Sequence, residues 1–196
     1  MAIIVIDPGH GGTTTVGGSS PNNAIGPEGT LEKVWTLDLA ERAKRILSAM
    51  HDVHLTRDRD VNLGIAARAH VARDRSADVF LSIHLNGFHD ANVQGTETWV
   101  WPDTAPTEKS HRLAVLVQQA TVAVTGYRDR GIKAERRLGV LNPSNHVERT
   151  ARCLVESSFL TGPGRSDMET EEQRLRDESY RDAIAEGFAE AIEAYL

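Results

Sequence analysis

Residues 3–12 read Ile3-Ile4-Val5-Ile6-Asp7-Pro8-Gly9-His10-Gly11-Gly12. Four consecutive β-branched residues make a short buried strand, too brief for a helix of ordinary length. Pro8 and Gly9 end it, and Gly11 and Gly12 leave the following backbone small and permissive. The stretch therefore holds a histidine on a tight loop just past a core strand, where ligands and chemistry collect in open α/β sheets. A lone turn histidine ordinarily has no function. The crowding of Asp7, Pro8 and three glycines around His10 makes this one read as a metal ligand.

Two more apolar runs end in the same way. Asp78-Val79-Phe80-Leu81-Ser82-Ile83-His84 and Arg152-Cys153-Leu154-Val155-Glu156 each read as a core strand closed by an ionisable residue. A buried carboxylate is costly unless paired or near a cation, so three such strand ends point to one shared polar site. Catalytic zinc takes three ligands from His and carboxylates and keeps one position open. His10 and His84 supply two of them. On spacing alone the third stays open among Glu28, Glu32, Glu97 and Glu156. Cys153 is the only cysteine, which excludes an internal disulfide and a Cys-rich metal site. Its apolar surroundings make it a small core residue.

Outward from these strands, segments alternate. Residues 13–30 are rich in Gly, Ser, Thr, Asn and Pro and read as a long loop. Thr30 is the expected cap of a helix over about 31–50 that turns Leu39, Ala43, Ile46, Leu47 and Met50 inward. Glu32 falls in its first turn, where a carboxylate also suits the helix dipole. Val53–Thr56 reads as a strand, Arg57–Asp60 as a charged turn, and 63–73 as a helix with Ala66, Ala67, His70 and Val71 inside. His51 and His54 span a helix-to-strand junction and read as surface or edge residues. Gly95–Trp101 is another strand, 107–125 a helix closed by Gly126, Gly139–Leu141 a short strand, and 177–195 a last helix. In the last helix Tyr180, Ile184, Phe188, Ile192 and Tyr195 form a core stripe. The pattern gives one α/β domain over residues 1–196: a central, largely parallel sheet flanked by helices in three layers, without repeats or linkers.

Composition sets limits on partners. The chain has 196 residues, 40% hydrophobic and 26% charged, as in a soluble globular protein. A net charge of −6 without a dense Lys/Arg run argues against nucleic acid. No apolar run is long enough to span a bilayer. Met1 and Ala2 lead straight into the first strand without a charged leader or cleavage site, so the expectation is a cytoplasmic chain or a domain cut from a longer exported one.

The stretches IVIDPGHGG, GTLEKVWTLDLA, LTRDRD, ADVFLSIHLNG, GTETWV, RGIK and LVESSFLT, in this order, resemble the zinc-dependent N-acetylmuramoyl-L-alanine amidases called amidase 3. The similarity runs from Ile3 to the final helix. It implies one zinc ion per chain held by His10, Glu32 and His84, with Glu156 as general base and acid. It implies as substrate the peptidoglycan or muropeptide amide between the muramic lactyl group and L-alanine. Asp7 and Asn86, beside the ligands in sequence, read either as residues that orient them or contact substrate, or as turn caps. Rival readings are a zinc carboxypeptidase or endopeptidase on wall peptides, and a non-catalytic wall-binding module.

Three departures from the family pattern carry expectations. Arg73 stands where the family has an Asn. Val147–Arg152 replaces a small, apolar run and is expected to put charge on the wall near Glu156. Some relatives insert an autoinhibitory helix after the G-T-E strand; here only the turn Pro102–Pro106 stands in that place, so the expectation is an open site that needs no activator protein.

Overall fold

The apolar run that opens the chain becomes β1 (Ile3–Pro8), the second of six strands in a computed structural model that describes residues 1–105, 107–165 and 168–196. The others are β2 (Asp52–Leu55), β3 (Val79–Asn86), β4 (Thr96–Val100), β5 (Asp129–Ala134) and β6 (Ala151–Phe159). They lie in the order β2-β1-β3-β6-β4-β5, parallel throughout except where β4 meets β6. Among the described residues, five α-helices complete the fold: α1 (Glu32–Leu47), α2 (Ile65–Asp74), α3 (Lys109–Thr125), α4 (Glu171–Leu175) and α5 (Glu178–Tyr195).

Alternation along the strands separates the two faces of the sheet. Ile4, Ile6, Leu81, Ile83, Leu85, Cys153 and Val155 face α1, α3 and α5 and join Leu39, Leu113, Ile184 and Phe188 in the main core. Val5, Phe80 and Leu154 face the other way, where α2 and two short 3₁₀ turns cover them with Ala72, Val140 and Leu141. That second cover ends early. Past it, towards the carboxyl ends of β1, β3 and β6, the same face carries Asp7, Ser82, His84 and Glu156.

Local chemistry explains most boundaries. Gly126 adopts φ 66° and ends α3, and the Asp177 side chain accepts from Ser179 N–H to start α5. Four expectations change. Leu31, not Thr30, takes the N-cap position of α1, without a side-chain bond. The acceptor comes from far off: the Asn22 side chain takes the Lys33 N–H at 3.1 Å. On α1, Ile46 and Met50 are 42% and 63% exposed, and Ala40 replaces them inside. In α2, Arg68, Ala69 and Ala72 are buried while Ala66 and Ala67 are exposed, because the inner face holds an arginine. Gly139–Leu141 is a 3₁₀ turn, and the edge strand is instead β5, whose lone large aliphatic residue is Ile132.

The charged segment also lies elsewhere. Ala151 pairs with Val79 at the start of β3, whereas Glu156 pairs with His84 near its end. At about 3.3 Å per residue this puts Val147–Arg152 about 15 Å from Glu156, at the opposite end of the sheet. There Arg149 pairs with Asp78 and Arg152 donates to the Leu141 carbonyl. Arg73 pairs with Asp74 in solvent. Pro106, the end of the expected turn after β4, lies outside the described residues.

Candidate metal centre and active site

The loop after β1 turns on His10, which has φ 61°, a left-handed conformation uncommon for any residue but glycine. Two buried arginines hold that strained turn. Arg57 donates to the carbonyls of Pro8 and Gly9, at 3.1 and 2.9 Å. Arg68 donates to those of Pro8 and His10, at 2.8 and 2.6 Å. Asp7 fixes Arg68 in turn, at 2.9 Å, while also accepting from Thr56 and Ser82. Burial works against the Asp7 charge, but Arg68 and these hydrogen bonds outweigh it and keep its carboxyl below the ordinary range. Arg57, in the stretch that reads as a charged turn, is 3% exposed; its place in LTRDRD is the sequence signal for this role.

Gly9 has a separate role. A Cβ there would lie 2.3 Å from the His84 ring, so only glycine lets that ring close over the loop.

His10, Glu32 and His84 converge at the end of the sheet, with one donor atom from each within 4.8 Å of the others. Glu32 is 1% exposed. Its Oε2 lies 3.2 Å from His10 Nε2 and its Oε1 lies 3.0 Å from His84 Nδ1. The backbone N–H groups of Ala24 and Leu85 also donate to it. Burial raises its pKa, but hydrogen bonds from both imidazoles and their charge hold it well below the usual range. His10 Nδ1 lies 3.1 Å from the Ser20 carbonyl, which can only accept, so that nitrogen carries a proton, and Nε2 is the nitrogen turned to Glu32. Burial pulls down both histidines; Glu32 outweighs it at His10 and not at His84. Two imidazoles and a carboxylate on a dry floor form the donor set of a catalytic zinc site, so these residues fit that ion.

Glu156 stands directly beside His84 in the β3–β6 register and opposite Glu97 across β4. Its Oε2 is buried and has no hydrogen-bond partner among the described residues. Burial, then the charges of Glu32 and Glu97, push its carboxyl well above the usual range. Asn86 does not touch the three converging residues. Its amide donates to Glu97 at 3.0 Å, and its carbonyl caps Gly87. His51 and His54 lie at the β2 edge, bonded to Glu193 and Asp52.

The cluster opens on a cleft. Ile65, Leu138, Val140 and Leu154 line one side beside the two histidines, and Trp99 and Leu138 line the other beside Glu156.

Comparison with known proteins gives one family over nearly the whole chain. A family model described as N-acetylmuramoyl-L-alanine amidase, of the amidase 3 type, matches residues 4–194. The chain is 31% identical over 193 residues to the N-acetylmuramoyl-L-alanine amidase LytC of Bacillus subtilis, covering 98% of this chain and 35% of that one. It is 27% identical over 231 residues to the N-acetylmuramoyl-L-alanine amidase AmiC of Neisseria meningitidis, covering 99% of this chain and 52% of the relative. The chain thus spans about a third to a half of these curated relatives. Among solved structures, the catalytic domain of the amidase CwlV from Bacillus (Paenibacillus) polymyxa superposes with a TM-score of 0.83 at 29% identity, covering 100% of this chain and 98% of that one.

Proposed function

This chain belongs to the amidase 3 family of N-acetylmuramoyl-L-alanine amidases, and from that membership we propose that residues 1–196 are one catalytic domain of this activity. The bond cleaved is the amide between the lactyl group of N-acetylmuramic acid and the L-alanine of the peptidoglycan stem peptide. His10, Glu32 and His84 would hold one zinc ion. When bound, such an ion supplies Lewis acidity to the scissile carbonyl and makes water more acidic.

The chain's own residues carry the proton. Glu156 takes it from the attacking water and hands it to the departing amine of L-alanine. A carboxyl kept neutral up to higher pH by burial suits the second half of that task, because it holds the proton until the amine needs it. Arg57 and Arg68 keep the loop carbonyls fixed and His10 aimed at Glu32. Asp7 acts through Arg68, and Asn86 through Glu97.

The observation that carries this reading is the convergence of three donor groups within 4.8 Å, with a buried, unpartnered carboxyl on the neighbouring strand. Among the described residues no helix lies between β4 and α3, which supports a cleft that is open without an activator protein.

Metal content and muropeptide digestion, measured side by side for wild type and Glu156→Ala, test it. The expected result is near-stoichiometric zinc in both and stem peptides with a free L-alanine amino terminus from wild type alone. Zinc with no stem-peptide release would leave the metal site and sink the amidase assignment. No zinc in either would undo the metal assignment. Purified enzyme that stays silent until a second protein is added would overturn the open site.

A further inference from the structure

The acidic chain carries one concentrated basic segment: residues 128–137 hold Arg128, Arg130, Lys133, Arg136 and Arg137 against Asp129 and Glu135. Strand geometry decides where these charges point. The Asp129 carboxylate turns to the covered face of the sheet, where it accepts from the Gln118 side-chain amide of α3 at 2.6 Å. Its neighbours Arg128 and Arg130 therefore face the cleft. Lys133 should then point the other way from Arg130, three residues before it. It does not, because the β4–β5 register shifts around Gly131, which has φ 78°, and the shift returns Lys133 to the cleft side opposite Trp99. Its ammonium lies 5.2 Å from the Trp99 ring centroid.

The three cations line one open depression of about 440 Å³. Arg130 Nε and Lys133 Nζ both contact Oε2 of Glu97, at 2.6 and 2.5 Å. Arg128 has no side-chain hydrogen bond or ion pair among the described residues. Glu97 thus meets two of the three cations, Arg128 stays without a carboxylate partner among the described residues, and the depression keeps a surplus of positive charge. Gly95 supports the arrangement, since a Cβ there would lie 2.4 Å from the stem of Arg130.

This depression continues the catalytic row. His84, Glu156 and Glu97 stand side by side across β3, β6 and β4, and β5 is the next strand. With strands about 4.8 Å apart, the cations lie about 10 Å from Glu156. An extended peptide advances about 3.3–3.6 Å per residue, so a peptide leaving the scissile amide reaches them after two to three residues.

We propose that Arg128, Arg130 and Lys133 form a subsite for a carboxylate of the substrate's stem peptide, carried two to three residues from the bond that is cut. The subsite deepens the amidase reading and rests on it. Arg130 and Lys133 come pre-positioned by Glu97, and Arg128 supplies the free guanidinium. The apolar wall of Trp99 carries the peptide from Glu156 towards them.

The test uses two N-acetylmuramoyl peptides that differ at that position, one with the free carboxylate and one amidated. The readout is the ratio of their kcat/KM values, with KM and kcat resolved separately. Wild type should favour the free carboxylate by about threefold to fivefold, as fits a charge contact at a solvent-exposed site, mainly through KM. Arg128→Gln should bring the ratio near one, and Arg128→Glu should invert it. A wild-type ratio of one, or the same ratio in all three proteins, overturns the subsite while leaving the amidase reading intact. Failure of wild type to release stem peptide from either substrate removes that reading and the subsite with it.

Discussion

The two faces of the sheet divide the work of this protein. Under α1, α3 and α5, Ile4 and Ile6 of β1 and Val79, Leu81, Ile83 and Leu85 of β3 are apolar and fully buried, and Leu81, Ile83, Leu113 and Phe188 meet there without a charge among them. On the opposite face the strands carry Asp7, Ser82 and Glu97, buried, and His84 and Glu156, partly buried. Burial is similar on both sides and its consequence is opposite. On the apolar face it stabilises the chain directly. On the polar face it shifts pKa values and leaves an unpartnered carboxyl oxygen, which costs stability and serves chemistry. Substitutions on the two faces should therefore separate function from stability.

The largest separation is expected at Glu156. Glu156→Gln keeps the shape and removes the group that moves the proton, so activity should fall about 10²- to 10⁴-fold. The zinc content should stay as in wild type, and the melting temperature should not fall, because an unpaired buried acid is exchanged for a neutral amide. A variant that melts well below wild type would mean that Glu156 also holds the fold together.

Phe188→Ala probes the other face. Phe188 is fully buried in the main core, and truncating such a side chain costs about 3–5 kcal/mol. Denaturant unfolding should show that loss. Metal content and kcat of the chains that remain folded should match wild type, and a loss of zinc would couple the two faces.

A smaller effect tests the polar face away from the catalytic residues. His146 stacks against Phe80 with its centroid 4.9 Å away, and its Nε2 lies 2.8 Å from the Val140 carbonyl. That carbonyl only accepts, so Nε2 holds the proton and Nδ1 is the buried atom left without a partner. Burial, reinforced by the nearby Arg152, holds the pKa down to about 4 against the Val140 hydrogen bond. The folded pKa is below the unfolded one, so the unfolded chain binds this proton more readily. The stability is whole above about pH 6.5 and is lost as pH falls through about 4, by about 2–3 kcal/mol. Unfolding free energies at pH 7.5 and 4.5 should differ less by about that amount in His146→Gln, and an unchanged pH dependence would remove His146 as the cause.

The two faces were not equally legible in the sequence. Ile3–Ile6, Val79–Ile83 and Cys153–Val155 announced themselves as core strands because strands buried on both sides are rich in apolar residues. The ionisable residues His10, His84 and Glu156 stood out against that background. The polar face hid wherever a charge was itself buried. Arg57 reads only as part of a charged turn, and Arg68 is not among the residues that periodicity turns inward on its helix, because no local pattern reveals that their partners are backbone carbonyls of the loop at Pro8–His10. β5 hid for a related reason. Its charges face a cleft and it lies at the sheet edge, so Ile132 alone could not draw a strand, while Gly139–Leu141 mimicked one with two aliphatic residues.

The smallest predicted effect addresses the one place where the apolar face itself was misread. Periodicity put Ile46 and Met50 on the inner side of α1, and in the structure they lie outside, in a shallow patch beside Ala189 of α5. The stripe drifts because Ala40, a small residue, packs inward where a wider pattern pointed to larger ones. Helix α1 also ends at Leu47, so Met50 follows a turn rather than the helical spiral. Ile46→Lys and Met50→Lys should each change the unfolding free energy by no more than about 0.5 kcal/mol. Leu47→Ala, one position away and 1% exposed, should cost about 2–5 kcal/mol. If Ile46→Lys cost as much as Leu47→Ala, the apolar face would extend past α1 to that surface, and the boundary between the two faces would have to be redrawn there.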